Sequence, residues 1–309
     1  MHAAPEAAIS VVGVEKRYGA TRAVDGLTFA VAPGEVFGLL GPNGAGKTTT
    51  VEILEGYRLP DAGSVRVLGL DPHRDGRALA PRIGVMLQEG GLYPALRARE
   101  LLRLFTAYYD DVSDADALLS MVGLDDVART PVRRLSGGQA QRLALACALA
   151  GQPEVVFLDE PTAGMDPHAR ATTWRLVRDL AGRGTTVLLT THAMDEAEQL
   201  CDRVAIIAGG RLAAIGSPSE LSRHGAPDEI WFTSRPGLDV AALAHAIGCT
   251  PGAVVETRAG EYVARASATG ELVADLACYL RDTGAGLSSL DTGRRSLEEV
   301  FLRITSEQR

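Results

Sequence analysis

Five short runs in the first two-thirds of the chain have continuous apolar centres: EVFGLL at 35–40, RIGVML at 82–87, EVVFLD at 154–159, TTVLLTT at 185–191 and RVAIIAG at 203–209. A strand with one wet face alternates polar and apolar positions. Runs that do not alternate predict strands buried on both faces, as in a mainly parallel sheet. Helical patterns separate them, so the fold class expected is α/β. From about residue 92 to 135 the strand signal stops. RARELLRLFTAYY (97–109) and DADALLSMVGL (114–124) carry helical spacing, which predicts a helical insertion there.

The character changes near GSPSELSRHG (216–225). Ser217 and Glu220 form a capping-box pattern with Pro218 at the first helical position, and Gly225 is a natural stop. This reads as a short helical linker. After it come a strand in EIWFTS, a helix in VAALAHAIG, two strands in AVVETRAGEYVARAS and a helix in ELVADLACYLRDTG. A short strand in LSSLD and the helix SLEEVFLRI follow. That order predicts a small ferredoxin-like α+β domain at 218–309, after a larger domain at 1–217.

Composition narrows the function. The chain has 309 residues and a net charge of -8, with no basic block. Clustered cations for a phosphate backbone are missing, so nucleic acid is not the expected partner. Cys147, Cys201, Cys249 and Cys278 lie too far apart for a C-x-x-C metal or redox pair and read as reduced thiols. MHAAPEAAIS has neither a basic nor an apolar segment and gives no export signal; a cytoplasmic location is expected. Lys16 and Lys47 are the only lysines. A retained lysine suits a site that needs a compact point charge rather than a planar fork.

Lys47 lies in GPNGAGKT, which follows the strand candidate EVFGLL and opens the helical stretch TTTVEILEG. This is a phosphate-loop pattern in its strand–loop–helix setting. Gly41, Pro42, Asn43, Gly44, Ala45 and Gly46 would wrap a phosphate with backbone N–H groups at a helix N-terminus. Lys47 would reach the outer phosphates, Thr48 would hold Mg²⁺, and Thr49 would bind the nucleotide with them. VVFLDEPT places Asp159 and Glu160 at the end of a buried strand. Asp159 suits an outer Mg²⁺ ligand, and Glu160 suits a general base for an attacking water.

A second glycine-rich turn occurs in RRLSGGQAQR. Ser136 and Gln139 form a capping box, and taken alone the segment is a well-capped core helix. Two adjacent glycines in a first helical turn cost about 1 kcal/mol each against alanine, however. They make sense where something approaches the backbone closely.

LSGGQ followed by FLDEPT closely resembles the signature and Walker B motifs of ATP-binding cassette (ABC) ATPases, and GPNGAGKT resembles their Walker A. The resemblance runs from about Ile9 to Ser217. It implies a P-loop NTPase fold, ATP and Mg²⁺ as ligands, and ATP hydrolysis. On it, Tyr18 matches the aromatic that stacks on adenine, Gln88 the glutamine that senses Mg²⁺ and water, Asp166 the D-loop aspartate, and His192 the switch histidine at the γ-phosphate. Ser136, Gly137, Gly138 and Gln139 would serve the ATP of a second, head-to-tail subunit, identical or paralogous. The partner implied is a separate transmembrane permease, which would hold the chain at the inner face of the membrane. Its coupling helix would dock on the insertion near Tyr93 to Tyr109. THAMDEAEQLCDRVAIIAGGRLAAIGSPSEL and SLEEVFLRIT are similar to the daunorubicin-resistance group of drug and lipid exporters. Gln139, Ala140 and Gln141 depart from the methionine and basic residues common there. An importer ATPase and a non-transport cassette protein are the alternatives.

Overall fold

The computed structural model describes residues 7–87, 91–109, 114–223, 229–291 and 297–306. Backbone contacts divide the chain into a larger unit, Met1–Pro218 with Phe301–Arg309, and a smaller one, Ser219–Val300.

In the larger unit, β1 (Ile9–Tyr18), β2 (Thr21–Val31) and β4 (Ala62–Val67) form an antiparallel sheet in the order β2-β1-β4. The apolar runs supply the second sheet: β3 (Val36–Leu40), β5 (Ile83–Met86), β6 (Val155–Asp159), β7 (Thr186–Thr191) and β8 (Arg203–Ala208). Its order is β5-β6-β7-β3-β8-β9, with five parallel strands and β9 (Arg211–Gly216) antiparallel at the edge. Every residue of β3, β6 and β7 is buried, as non-alternating runs require. Ile9, Leu27, Phe37, Leu54, Phe157 and Leu188 belong to one core cluster that draws on both sheets. Within it Phe29 stacks on Phe37 with ring centroids 5.3 Å apart.

The segment expected to be helical holds α3 (Ala98–Thr106), α4 (Ala115–Met121) and 3₁₀ turns at Asp125–Val127 and Val132–Arg134. Helix α1 (Lys47–Leu54) follows β3, and α2 (Gly76–Leu79) precedes β5. Helix α5 (Gly137–Ala148) leads into β6, α6 (Pro167–Gly182) into β7, and α7 (Met194–Leu200) into β8. Among the described residues, no helix is long and apolar enough to cross a membrane.

Pro218–Arg223 is helix α8, and the expected stop at Gly225 lies outside the described residues. The smaller unit continues with β10 (Glu229–Thr233), α9 (Val240–Ala246), β11 (Val254–Arg258), β12 (Glu261–Arg265), α10 (Gly270–Asp282) and β13 (Ser289–Asp291); α11 (Leu297–Ser306) ends the described chain. The antiparallel order β11-β12-β10-β13 is that of a ferredoxin-like unit. Ile230, Phe232, Leu243, Tyr262 and Leu276 fill its core. The buried Tyr262 hydroxyl donates to Arg235 O (2.9 Å) and accepts from Leu238 N–H (3.0 Å).

Candidate active site

Strand order decides where the chemistry collects. Because β6, β7 and β3 are neighbours and parallel, the loops leaving their C-terminal ends lie side by side, where ligands bind in open α/β sheets. A cavity of about 410 Å³ opens there. Its lining joins Tyr18 from the end of β1 with Asn43, Gly44, Ala45, Gly46, Lys47, Thr48 and Thr49 of the loop, and with Asp159 and Glu160. Ala23 also lines it and had no sequence signal.

The loop's shape needs its glycines. Gly46 has φ +102°, and a Cβ there would lie 2.2 Å from Ala23 O. A Cβ on Gly41 would lie 2.4 Å from the Ile207 carbonyl of the adjacent strand β8. Lys47 is buried, and its Nζ donates to Gly41 O (2.6 Å) and Pro42 O (3.2 Å); Pro42 itself is exposed and outside the lining. Burial holds the ammonium below the usual lysine range, and the charges of Glu160 and Asp159 pull it back up. The Tyr18 ring, 43% exposed, carries the Arg58 guanidinium 5.3 Å from its centroid.

Burial raises the carboxyl of Asp159 above the ordinary range. The Thr190 hydroxyl, which donates to its Oδ1, opposes that rise; Glu160 adds to it and Lys47 counters it. Glu160, the first residue past β6, has φ +49°, a left-handed conformation that costs a non-glycine residue about 1–3 kcal/mol. Its N–H donates to Thr190 O (3.1 Å) and Thr190 Oγ1 (3.2 Å). His192, just past β7, places Nδ1 3.0 Å from Glu160 Oε1. A carboxylate can only accept, so Nδ1 carries the hydrogen and Nε2 faces elsewhere. Thr190 therefore touches both acidic residues. The hint in the sequence was the polar pair Thr190-Thr191 closing an apolar strand.

Thr48 and Asp159 bring hard oxygen donors to one cavity, beside a second carboxylate on Glu160. That donor set fits Mg²⁺, which takes few carboxylates and keeps its waters. Gln88, the third expected ligand, lies outside the described residues.

The second glycine-rich turn is built as its sequence indicates. Ser136 Oγ accepts from Gln139 N–H (3.2 Å), and Gln139 Oε1 accepts from Ser136 N–H (2.9 Å). Ser136 and Gly137 are exposed, Gly138 and Gln139 half-buried, and none of the four lines the cavity. Asp166 is also outside it. Its carboxylate caps α6, accepting from His168 N–H (3.0 Å) and Ala169 N–H (2.9 Å).

Set against known proteins, residues 24–163 match the ABC transporter family model. The chain is 40% identical over 309 residues to a daunorubicin resistance ATP-binding protein of Streptomyces coeruleorubidus, across 98% of both chains. It is 42% identical over 318 residues to the Nod factor export ATP-binding protein I of Paraburkholderia xenovorans, across 98% of this chain and 99% of that one. Among solved structures it resembles an ATP-binding subunit of an ABC transporter, with TM-score 0.64 and 28% identity over 70% of this chain and 92% of that one. It also resembles a dimeric ATP-binding cassette in a post-hydrolysis state with ADP and phosphate, with TM-score 0.62 and 26% identity over 68% of this chain and 98% of that one.

Proposed function

This chain belongs to the ABC transporter family as an ATP-binding and ATP-hydrolysing subunit, and from that premise we propose that two copies, or this chain and a paralogue, close head to tail around two ATP molecules. Closure drives export of a drug-like or lipid substrate through a separate membrane permease. One observation carries the reading. Tyr18, the phosphate loop, Asp159 and Glu160 line a single cavity, whereas the capped, exposed turn at Ser136 and Gly137 lies outside it. A nucleotide in the cavity leaves that turn for another subunit's γ-phosphate. Relatives named for daunorubicin resistance and Nod factor export support the outward direction. Tyr93 and Tyr108, both exposed, offer the permease an aromatic surface on the helical insertion.

In this reading Tyr18 stacks on the base, and the loop N–H groups with Lys47 bind the phosphates. Thr48 and Asp159 would hold Mg²⁺, with Gln88 beside them; the ion supplies charge neutralisation at the phosphate oxygens. Glu160 takes a proton as water oxygen bonds to the γ-phosphorus. The bond to the bridging oxygen breaks, and its electron pair leaves with ADP. His192 holds the Glu160 carboxylate through Nδ1 and turns its other nitrogen toward the transferred phosphoryl group.

The magnitudes suit a switch. Two hydrogen bonds to phosphate per signature turn, at about 1.5–3 kcal/mol each, give roughly 6–12 kcal/mol over two sites. Association costs about 4–15 kcal/mol, so bound ATP decides closure. Ser136→Arg tests the assignment to the partner's site. ATP affinity should stay unchanged while turnover is lost, and full turnover would refute it.

A further inference from the structure

Glu160 owes its place to two neighbouring elements. Its N–H is held by Thr190 of β7. Its carbonyl accepts from Ala163 N–H (3.1 Å) inside the following turn, and from Gln141 Nε2 (3.0 Å) on α5. The residue needs such holding. Its φ is +49°, and Pro161 follows, which further narrows the backbone conformations open to it. A peptide free to leave the left-handed region would swing the Glu160 Cβ, and the carboxylate with it, away from His192.

Gln141 is well fixed for this task. It lies on the second turn of α5, whose first turn is locked by the reciprocal Ser136–Gln139 bonds. The next residue, Arg142, donates from Nη1 to Val122 O (2.8 Å) and Gly123 O (3.1 Å) at the end of α4. The helix that presents the signature turn is thus tied by one side-chain amide to the carboxylate-bearing residue of its own chain. We infer that Gln141 is a positioning residue for ATP hydrolysis, its amide holding the Glu160 backbone in the conformation that aims the carboxylate at the attacking water. The inference rests on Glu160 being the general base.

The test uses the full chain and three measurements: steady-state ATPase kinetics, binding of a fluorescent ATP analogue, and thermal unfolding. Gln141→Met keeps the length and removes the donor. It should lower kcat by about 10- to 100-fold, up to the loss that an ångström of misplacement can cause, with KM and nucleotide affinity within about twofold of wild type. Gln141→Lys, which keeps an N–H donor of comparable reach, should recover most of the loss. In a Glu160→Gln background, Gln141→Met should add nothing to the defect, because residues acting as a unit are not additive. Wild-type kcat in Gln141→Met, or an equal fall in both backgrounds, would overturn the positioning role. So would a kcat loss matched by an equal loss of nucleotide affinity. The two ideas fail separately: an active Glu160→Gln removes the general base itself, whereas an inactive Glu160→Gln beside a fully active Gln141→Met removes only the part given to Gln141.

Discussion

Replacing Thr190 with valine removes one hydroxyl and keeps the β-branched shape that suits the middle of a sheet. The hydroxyl donates to Asp159 Oδ1 and accepts from Glu160 N–H, and Thr190 is fully buried. Glu160 N–H retains the Thr190 carbonyl at 3.1 Å, so Asp159 bears the loss. A hydrogen bond to a charged group contributes about 1.5–3 kcal/mol, which sets the destabilisation expected near neutral pH. The pH dependence has a definite sign. Burial already holds Asp159 above its ordinary value, and the Thr190 bond pulls it down. A carboxyl raised by folding contributes its full stability below its unfolded pKa and loses it as pH rises through the folded value. Valine raises that folded value further, so the extra loss develops as Asp159 ionises and shrinks in acid. Urea unfolding followed by tryptophan fluorescence, at about pH 7.5 and about pH 5, measures it. The acid limb of kcat should move to higher pH in the same variant. A destabilisation equal at both pH values, or larger in acid, would mean that the Thr190 hydroxyl does not stabilise the ionised Asp159 carboxylate.

Gly46→Ala places a methyl group against the Ala23 carbonyl at a backbone angle alanine avoids; a loop that relaxes to escape roughly 1–3 kcal/mol of strain should lose about five- to 150-fold in ATP affinity by calorimetry. Glu55, at the C-terminal end of α1, is pushed up to about 8 by burial, with Asp159 and Glu52 adding to it. Its folded value exceeds its unfolded one, so wild type should lose stability relative to Glu55→Gln as pH rises from about 4.5 to about 8, read as a shift in urea midpoint. Tyr262→Phe leaves the buried Leu238 N–H without its acceptor; unfolding of the smaller unit, reported by Trp231, should be easier by about 1–3 kcal/mol, with ATP affinity unchanged.

The five parallel strands were legible because each is a continuous apolar run, and a doubly buried strand leaves no other mark. The antiparallel sheet was not. Its strand β1 does alternate, with Ile9, Val11 and Val14 buried, but register shifts between Val11 and Val14 break the period, and β2 and β4 carry charged residues within them. Strand β9 runs RLAAIG without a fully buried position, so edge placement rather than hydrophobicity defines it. The phosphate loop and the Asp159–Glu160 pair were readable because they follow apolar runs directly. Thr190 and Gln141 were not, because each acts on a residue far away in sequence, 31 and 19 positions from its partner. Asp166 shows the opposite difficulty: its short spacing to α6 indicates a helix cap as plainly as a ligand, and the cap is what its carboxylate forms here.

In the proposed dimer, the cavity of one copy and the signature turn of a second copy share an ATP. Light scattering of Glu160→Gln with and without Mg-ATP reads out that pairing, because this variant should bind ATP and stall before hydrolysis. A dimer should form only with ATP. A monomer in both conditions, with ATP demonstrably bound, would contradict closure of this chain upon itself.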